Sequence, residues 1–138
     1  MSEDKKRILV VDDESTNIKI LKYTLGLDYN VSAATDGPDA LEVAEELLPD
    51  LILLDIVMPD MDGYAVISKL KGNEKTKDIP VIFLTAMVSP EDETKGFNLG
   101  ASDYIFKPFS SDLLLRRVEM NLKIVEYDRL LAERSANQ

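Results

Sequence analysis

The sequence contains neither cysteine nor histidine among its 138 residues. The absence of cysteine excludes disulfides, thiolate metal sites and cysteine nucleophiles. The absence of histidine removes the usual proton carrier near neutral pH and the commonest ligand of transition metals. Any chemistry in this chain must therefore use carboxylates, hydroxyls and lysines, with a hard cation held by oxygen atoms as the remaining metal option.

Long apolar runs and an excess of positive charge are also missing. No apolar run approaches the roughly 18 residues that a membrane span needs, and the opening segment MSEDKKR lacks the apolar core of a signal peptide. We therefore expect a cytoplasmic protein with no membrane partner. The net charge of −10 argues against direct binding of nucleic acid, and the length of 138 residues suits one hydrophobic core.

Five short apolar runs predict the strands of the fold. Three of them, ILVV, LILL and VIFL, do not alternate with polar residues, which is typical of strands covered on both faces in a parallel sheet. The five runs are Ile8–Val11, Val31–Ala34, Leu51–Leu54, Val81–Leu84 and Tyr104–Phe106.

Patterns with helical spacing predict a helix after each strand. Pro38 and Ser89-Pro90 mark the starts of the second and fourth helices, and Gly26 and Gly100 mark the ends of the first and fourth. The recurring apolar positions are Ile18, Leu21 and Leu25, then Leu41, Ala44 and Leu48, then Ile67 and Leu70, and finally Leu114, Val118 and Leu122. The sequence thus predicts an α/β fold, a doubly wound (βα)5 flavodoxin-like three-layer sandwich with a five-stranded parallel sheet and an extended C-terminal helix.

Polar residues directly follow four of the five predicted strands. Asp12 and Asp13 follow the first, Asp55 the third, Thr85 the fourth and Lys107 the fifth. In such a sheet the carboxyl ends of the strands lie on one edge, where ligands bind. Three close carboxylates repel one another, and a divalent cation with oxygen ligands relieves that repulsion. Mg²⁺ is the natural candidate, because it accepts carboxylates and keeps waters that a phosphate oxygen can replace.

The same edge suits transfer of a phosphoryl group to a carboxylate. A carboxylate is a competent nucleophile toward phosphorus and forms an acyl phosphate. The oxygens of the moving group need cations and hydrogen-bond donors. The Lys107 ammonium, the Thr85 hydroxyl and the Ala86 backbone N–H would join Mg²⁺ in supplying them.

Four segments stand out along the chain: ILVVDDE, LILLDIVMPDMDGY, IPVIFLTA and GASDYIFKPF. Together with the helix after them, they resemble the response-regulator receiver domain of two-component signalling, over about residues 6–124. The resemblance implies that Asp55 accepts a phosphoryl group from a histidine kinase or histidine phosphotransfer protein, and that the chain catalyses only its own phosphorylation and dephosphorylation. Because the chain has no histidine, the phosphohistidine donor must act in trans.

The resemblance also implies a role for each residue at the strand ends. Asp13, Asp55 and the backbone carbonyl of Val57 would bind Mg²⁺ directly, and Asp12 would help through a water molecule. Lys107 would contact the phosphoryl group, with a cis peptide bond to Pro108. Thr85 and Tyr104 would form the switch pair. Taken alone, Tyr104 would simply be an aromatic residue at the edge of the sheet, and the resemblance, with Thr85 and Lys107 in place, favours the switch role.

Three other classes of protein compete with this interpretation. The segment Asp60–Gly63 reads DxDG, as in haloacid-dehalogenase-type phosphatases, but Asp60 lies five residues beyond the acid that ends the strand, and a turn is the simpler interpretation. A flavin-binding flavodoxin would need Ser, Thr and Gly after the first strand, where DDES instead repels phosphate. A receiver that only binds partners would have lost an acid, the Thr or the Lys, and none is lost here.

The end of the chain predicts a helix that continues past the receiver. We expect residues 1–124 to form the receiver domain and residues 125–138 a helical extension or linker. Leu115, Val118, Leu122 and Val125 recur at spacings of three, four and three, a stripe that could pair two tails in a homodimer through the face of helix 4, strand 5 and helix 5. Packing of Leu115 and Val118 on the chain's own sheet is the competing interpretation.

Two apolar residues predict a long-lived phosphorylated state. Val57 lies two residues after Asp55, and Met87 lies two residues after Thr85. Neither side chain can orient a water molecule for attack on an acyl phosphate. We therefore expect slow self-dephosphorylation.

Overall fold

The computed structural model describes residues 5–86 and 89–136, in which five strands alternate with five helices. The strands are β1 (Arg7–Val11), β2 (Asn30–Ala34), β3 (Leu51–Leu54), β4 (Val81–Thr85) and β5 (Asp103–Phe106). The helices are α1 (Ser15–Leu25), α2 (Gly37–Leu47), α3 (Gly63–Lys71), α4 (Pro90–Asn98) and α5 (Ser111–Ala136). The predicted order of elements is confirmed, and no helix within the described residues is long and apolar enough to cross a membrane.

All five strands form one parallel sheet in the order β2-β1-β3-β4-β5. The first and third strands are therefore neighbours, as the flavodoxin-like order predicts. In their register Val11 lies opposite Leu54, so the residues that follow these two strands leave the sheet side by side. The backbone N–H of Asp55 donates to the carbonyl of Val11 at 3.0 Å and extends the ladder by one step.

Apolar side chains fill both faces of the sheet, because helices cover each face. Ile8 and Val10 of β1 lie in one buried cluster with α1 and α5 residues, whereas Leu9 and Val11 lie in the other with α2 and α3 residues. This two-sided burial explains why the strands show no alternation of polar and apolar residues. The three-layer sandwich predicted from the sequence is confirmed.

Helix α2 departs from its predicted apolar stripe at one position. Leu48 lies beyond the helix with φ of 47° and is 50% exposed, so its predicted place in the stripe was wrong. It precedes Pro49, whose ring hinders the right-handed helical conformation in the preceding residue. The helix packs instead through Ala40 and Ala44, both nearly inaccessible to solvent.

Helix α5 is 26 residues long and passes the predicted boundary at residue 124 without a break. Val118 is fully buried, and Leu115 and Leu122 pack against the same cluster as α1. Val125 lines a small cleft with Lys6 and Asp50, which lie at the amino ends of β1 and β3. The competing interpretation is confirmed for Leu115 and Val118, because the predicted pairing stripe packs along the chain's own domain.

Candidate functional site at the carboxyl edge of the sheet

Three carboxylates meet where β1 and β3 end. Asp12, Asp13 and Asp55 each place an oxygen within 4.8 Å of the others. Asp12 and Asp55 are only 2% and 7% exposed, whereas Asp13 is open to solvent. A group of oxygen donors that is closed on one side and open on the other fits a hard divalent cation that keeps some of its waters.

Asp12 is held by donors on three sides. Its Oδ1 accepts a hydrogen bond from the backbone N–H of Glu14 at 2.9 Å. Its Oδ2 accepts from the side-chain amide of Asn17 at 3.2 Å and from Lys107 Nζ at 3.0 Å. These contacts satisfy a buried carboxylate that would otherwise be costly.

Asp55 lies between a backbone donor and the same lysine. Its Oδ1 accepts from the backbone N–H of Val57 at 3.3 Å, and its Oδ2 accepts from Lys107 Nζ at 3.3 Å. Burial raises the pKa of Asp55 above its usual value, the Lys107 charge opposes that rise, and the neighbouring Asp12 adds to it. The Asp55 carboxylate is thus poorly hydrated, and it already contacts the positive charge of Lys107.

Lys107 bridges the two buried acids from the end of β5. Burial lowers the pKa of Lys107, but its hydrogen bonds and charge contacts with Asp12 and Asp55 outweigh that effect, and the net change is a rise. Its backbone N–H donates to the carbonyl of the fully buried Thr85 at 2.9 Å, which ties the end of β5 to the end of β4. The peptide bond to Pro108 is cis, as predicted.

The loop between β3 and α3 is anchored on both sides of Val57. Ile56 and Met58 are buried at 1% and 7% exposure, and Val57 between them is 59% exposed beside Asp55. A Cβ atom at Gly63 would collide with the carbonyl oxygen of Asp55 and would lie 2.8 Å from the Cα of Ile56. Only glycine allows this close approach of two backbone segments.

The acids that follow in this loop have structural roles. Asp62 caps α3, because its carboxylate accepts from the backbone N–H of Ala65 at 2.9 Å. Asp60 adopts a left-handed conformation with φ of 68°, as a short polar residue in a turn can. Among the described residues the acidic cluster contains Asp55 and not Asp60, so the turn interpretation is confirmed.

Tyr104 points into the protein rather than lying at an open edge of the sheet. It is 5% exposed, and its ring packs 5.3 Å from that of Phe83. Its hydroxyl donates to the backbone carbonyl of Asp92 in α4 at 2.9 Å. Burial, followed by contact with Tyr64, raises the pKa of Tyr104 far above its usual value.

Sequence reasoning missed two neighbours of Tyr104. The Tyr64 hydroxyl donates to the same Asp92 carbonyl at 3.0 Å, and Tyr64 lies 40 positions earlier in the chain, so no local pattern connects the two tyrosines. A Cβ at Gly96 would lie 2.7 Å from the Cε2 and hydroxyl oxygen of Tyr104. Asn17, which supports Asp12, was also missed, although its place in the first turn of α1 could have indicated it.

Comparison with known proteins agrees with this geometry. The family model of the response regulator receiver domain matches residues 8–119. A probable cyclic di-GMP phosphodiesterase of Vibrio cholerae is 51% identical over 116 residues, which are 84% of this chain and 26% of that protein. Response regulator PleD of Caulobacter vibrioides is 47% identical over 113 residues, which are 81% of this chain and 25% of that protein. The chain spans about a quarter of the length of these relatives.

Solved structures give the same result. A CheY-like receiver domain protein from Methanospirillum hungatei superimposes with a TM-score of 0.85 at 30% identity, over 91% of this chain and 99% of that chain. The receiver domain of sensor histidine kinase PA1611 from Pseudomonas aeruginosa, which has a magnesium ion coordinated in its active site cleft, gives a TM-score of 0.80 at 31% identity, over 86% of this chain and 98% of that chain. The fold and the acidic edge are those of a two-component signalling module. The chain belongs to the response regulator receiver domain family.

Receiver domains share a set of partners and a common chemistry. Receiver domains interact with histidine kinases and phosphotransfer proteins, and phosphorylation and magnesium binding are typical of them. The acidic cluster of Asp12, Asp13 and Asp55 offers the oxygen donors that magnesium prefers.

Proposed function

We propose that Asp55 accepts a phosphoryl group from a phosphohistidine of a histidine kinase or histidine phosphotransfer protein. The observation that carries this proposal is the position of Asp55, a buried acid at the end of β3 with Lys107 3.3 Å from one carboxylate oxygen. A carboxylate oxygen attacks phosphorus, the bond from phosphorus to the histidine nitrogen breaks, and the imidazole leaves while an acyl phosphate forms on Asp55. The chain itself catalyses only this step and the later hydrolysis of the acyl phosphate, in which water takes the phosphoryl group as inorganic phosphate and the Asp55 carboxylate is restored.

The residues around Asp55 would act on the charge of the moving group. Lys107, already within hydrogen-bond distance of Asp55, would stabilise the negative oxygens as the bond to the donor breaks. The Thr85 hydroxyl and the Ala86 backbone N–H, at the end of β4, would donate to further oxygens of the phosphoryl group. This assignment is supported by the hydrogen bond that ties the end of β4 to Lys107.

The acidic cluster would hold Mg²⁺ during the reaction. Asp13, Asp55 and the Val57 backbone carbonyl would bind it directly, with Asp12 contributing through a water molecule. When bound, the ion neutralises charge on the phosphoryl oxygens. The open position of Asp13 supports this role, as does the magnesium ion in the cleft of the PA1611 receiver.

Phosphorylation would then change the surface that a partner recognises. It adds about −1.5 to −2 charges at the pocket, and Thr85 with Tyr104 would relay that change to the face formed by α4, β5 and α5. We propose that this face controls a downstream output or partner and supports a homodimer, with no direct contact between this domain and nucleic acid. A receiver that only binds partners is disfavoured by the retention of every acid, the Thr and the Lys.

Labelling with a small phosphodonor tests the acceptor. Acetyl phosphate with Mg²⁺ should add one phosphoryl group, because the pocket itself supplies the charges that the reaction needs. Asp55→Asn should remove the label in intact-mass measurements while circular dichroism stays unchanged. Full labelling of the folded variant would contradict the assignment, and Asp60 would be the next residue to replace.

A further inference from the structure

The far half of α5 carries an exposed row of apolar side chains. Met120, Ile124, Tyr127 and Leu131 are 53%, 52%, 63% and 43% exposed. They follow one another at steps of four, three and four residues, so they share one side of the helix. Such alternation is the pattern of the a and d positions of a coiled coil.

This row is distinct from the side of α5 that covers the domain. Leu114 and Val118 are fully buried, and Leu122 packs on the same cluster. Val125 faces the cleft with Lys6 and Asp50. The exposed row is therefore separate from the side of the helix that covers the core. Val125 and Leu130, the other large apolar residues exposed in the far half, lie off this row. Four large apolar side chains in line on a charged helix indicate an interaction surface.

We propose that Met120, Ile124, Tyr127 and Leu131 form the seam of a parallel two-stranded coiled coil with a second copy of this chain. Ile124 and Leu131 occupy the a positions, and Met120 and Tyr127 occupy the d positions. This seam would be the contact surface of the homodimer proposed above. It does not depend on which residue is phosphorylated.

The charges beside the seam fit a parallel partner. In this register Lys123 is at a g position and Asp128, five residues further along, is at the next e position. In a parallel pair the g residue of one helix faces that e residue of its partner, so the dimer gains two equivalent Lys–Asp pairs. Lys123 is free to turn, because its contact with Glu119 at 3.1 Å is between exposed side chains and contributes little.

An antiparallel partner would lose this complementarity. There, g positions face g positions and e positions face e positions. Lys123 would then meet the Lys123 or Leu130 of the other helix, and Asp128 would have no cation opposite it. The charge pattern therefore selects the parallel orientation with the two domains on the same side.

The seam has a definite beginning. The a position before Met120 is Arg117, whose guanidinium donates to the Asp103 carboxylate of β5 at 2.7 Å. Two such arginines would not pack against each other, so the helices separate there and the contact starts at Met120. A seam of this length gives a dimer that depends on protein concentration, because short helical contacts are marginal alone.

Engineered cysteines test the seam directly, because the chain has none of its own. Ile124→Cys and Leu131→Cys should each cross-link to the same residue of a second copy under mild oxidation, since a positions face each other in a parallel pair within disulfide reach. Ala132→Cys is the matched control, because it is one residue from Leu131 but lies off the seam. The full-length chain is used, with and without Mg²⁺ and beryllofluoride.

The expected result is cross-linking of both seam variants about tenfold faster than of the control, as the seam places equivalent a positions in contact. Cross-linking of only one seam variant would indicate an antiparallel crossing. Equal rates for all three would overturn the seam, and neither result would affect labelling of Asp55.

Charge reversal adds a second readout: Lys123→Glu should raise the dimer Kd about fivefold, and Lys123→Glu with Asp128→Lys should restore it. A Kd that does not respond to either change would contradict the register.

Discussion

Asp12, Asp13 and Asp55 bring three negative charges together with one lysine to balance them. Lys107 contacts Asp12 and Asp55 at 3.0 and 3.3 Å, and Asp13 is not among its ion-pair partners within the described part of the chain. Asp13 is also the acid most open to solvent. It is therefore the residue at which charge repulsion and cation binding should be easiest to separate.

Asp13→Ala should weaken Mg²⁺ binding at least about tenfold, since loss of even an indirect contact to a metal typically costs that much. The same change should raise the free energy of unfolding of the metal-free chain by about 1 kcal/mol, because one repulsive charge is removed. Mg²⁺ titration and urea unfolding measure the two effects. Asp28→Ala, which removes an exposed acid at the opposite edge of the sheet, is the control. An unchanged Mg²⁺ affinity would remove Asp13 from the ligand set.

Val57 is the exposed residue that contacts Asp55 on the solvent side. Its side chain is 59% exposed and apolar, while its N–H holds the Asp55 carboxylate. Val57→Asn would place a polar side chain where it can orient an attacking water. We expect the phosphorylated state to decay severalfold faster, measured as the loss of the label with time. Leu27→Asn, at another exposed apolar position, should leave the lifetime unchanged, and an unaltered lifetime for Val57→Asn would show that water access is set elsewhere. The matching prediction for Met87 lies outside the described residues.

The acids, Thr85 and Lys107 could be predicted from the sequence because each lies at or just after the end of a strand, and strand ends can be located from apolar runs alone. Tyr64 and Gly96 could not be identified from the sequence, because their roles depend on contacts between elements that are distant along the chain. The Asp92 carbonyl accepts hydrogen bonds from both tyrosines and so links α3, α4 and β5. No spacing of residues along the chain predicts these contacts.

Helix α4 packs on the domain mainly through aromatic residues of its neighbours. The helix has one buried residue, Gly96. Tyr64 of α3 and Tyr104 of β5 both donate to the carbonyl of Asp92 in its first turn. A helix held by so few contacts is easily moved, which suits an element that reports the state of the pocket.

Gly96→Ala should displace Tyr104 from its inward position, because the new methyl group would lie 2.7 Å from its ring and hydroxyl. We expect a loss of about 1–3 kcal/mol in the free energy of unfolding, as for other overpacked sites, and a changed resonance of Tyr104 in fluorotyrosine-labelled protein. Gly72→Ala is the matched control, because its nearest neighbour is 3.4 Å away. Combining Gly96→Ala with Tyr104→Ala should remove most of the added cost. Additive effects of the two changes would contradict a direct clash.

Two further differences between prediction and structure concern where a helix ends and which side of a helix is buried. Leu48 was included in the stripe of α2 because of its spacing, but the helix already ends at Leu47, and Pro49 follows directly after Leu48. In α5 the sequence offers two apolar stripes, one through Val118 and one through Ile124. Only the first was predicted to be a contact surface, and the position of the sheet, rather than the spacing, decides that it is the buried one.

The acidic pocket and the C-terminal tail lie at opposite ends of the molecule. The pocket is at the carboxyl edge of the sheet, and α5 runs from that edge past Lys6 and Asp50 at the amino edge. Every described residue of α5 after Leu122 is exposed. A signal from the pocket to the tail must therefore pass through the elements that pack against α5, which include β5 and α1.

Sedimentation of the chain in its two states tests this connection. The unphosphorylated chain should be mostly monomeric at micromolar concentration, and beryllofluoride with Mg²⁺ should shift it toward a dimer. Truncation after Ile124 removes Tyr127 and Leu131 from the seam and should weaken that dimer, since half of its apolar contacts are lost. Equal mass in both states of the full chain would refute coupling between phosphorylation and association.

The length of α5 gives it a mechanical property that its contacts alone do not convey. Its 26 residues span about 39 Å, whereas a strand of five residues spans only about 17 Å. The helix is thus a lever whose short arm rests on the sheet and whose long arm extends beyond it. A tilt of about 5° at its first turn would move its tip by about 3 Å, given the rise per residue of an α-helix. Displacements at the pocket too small to alter the core would therefore be magnified at the tip.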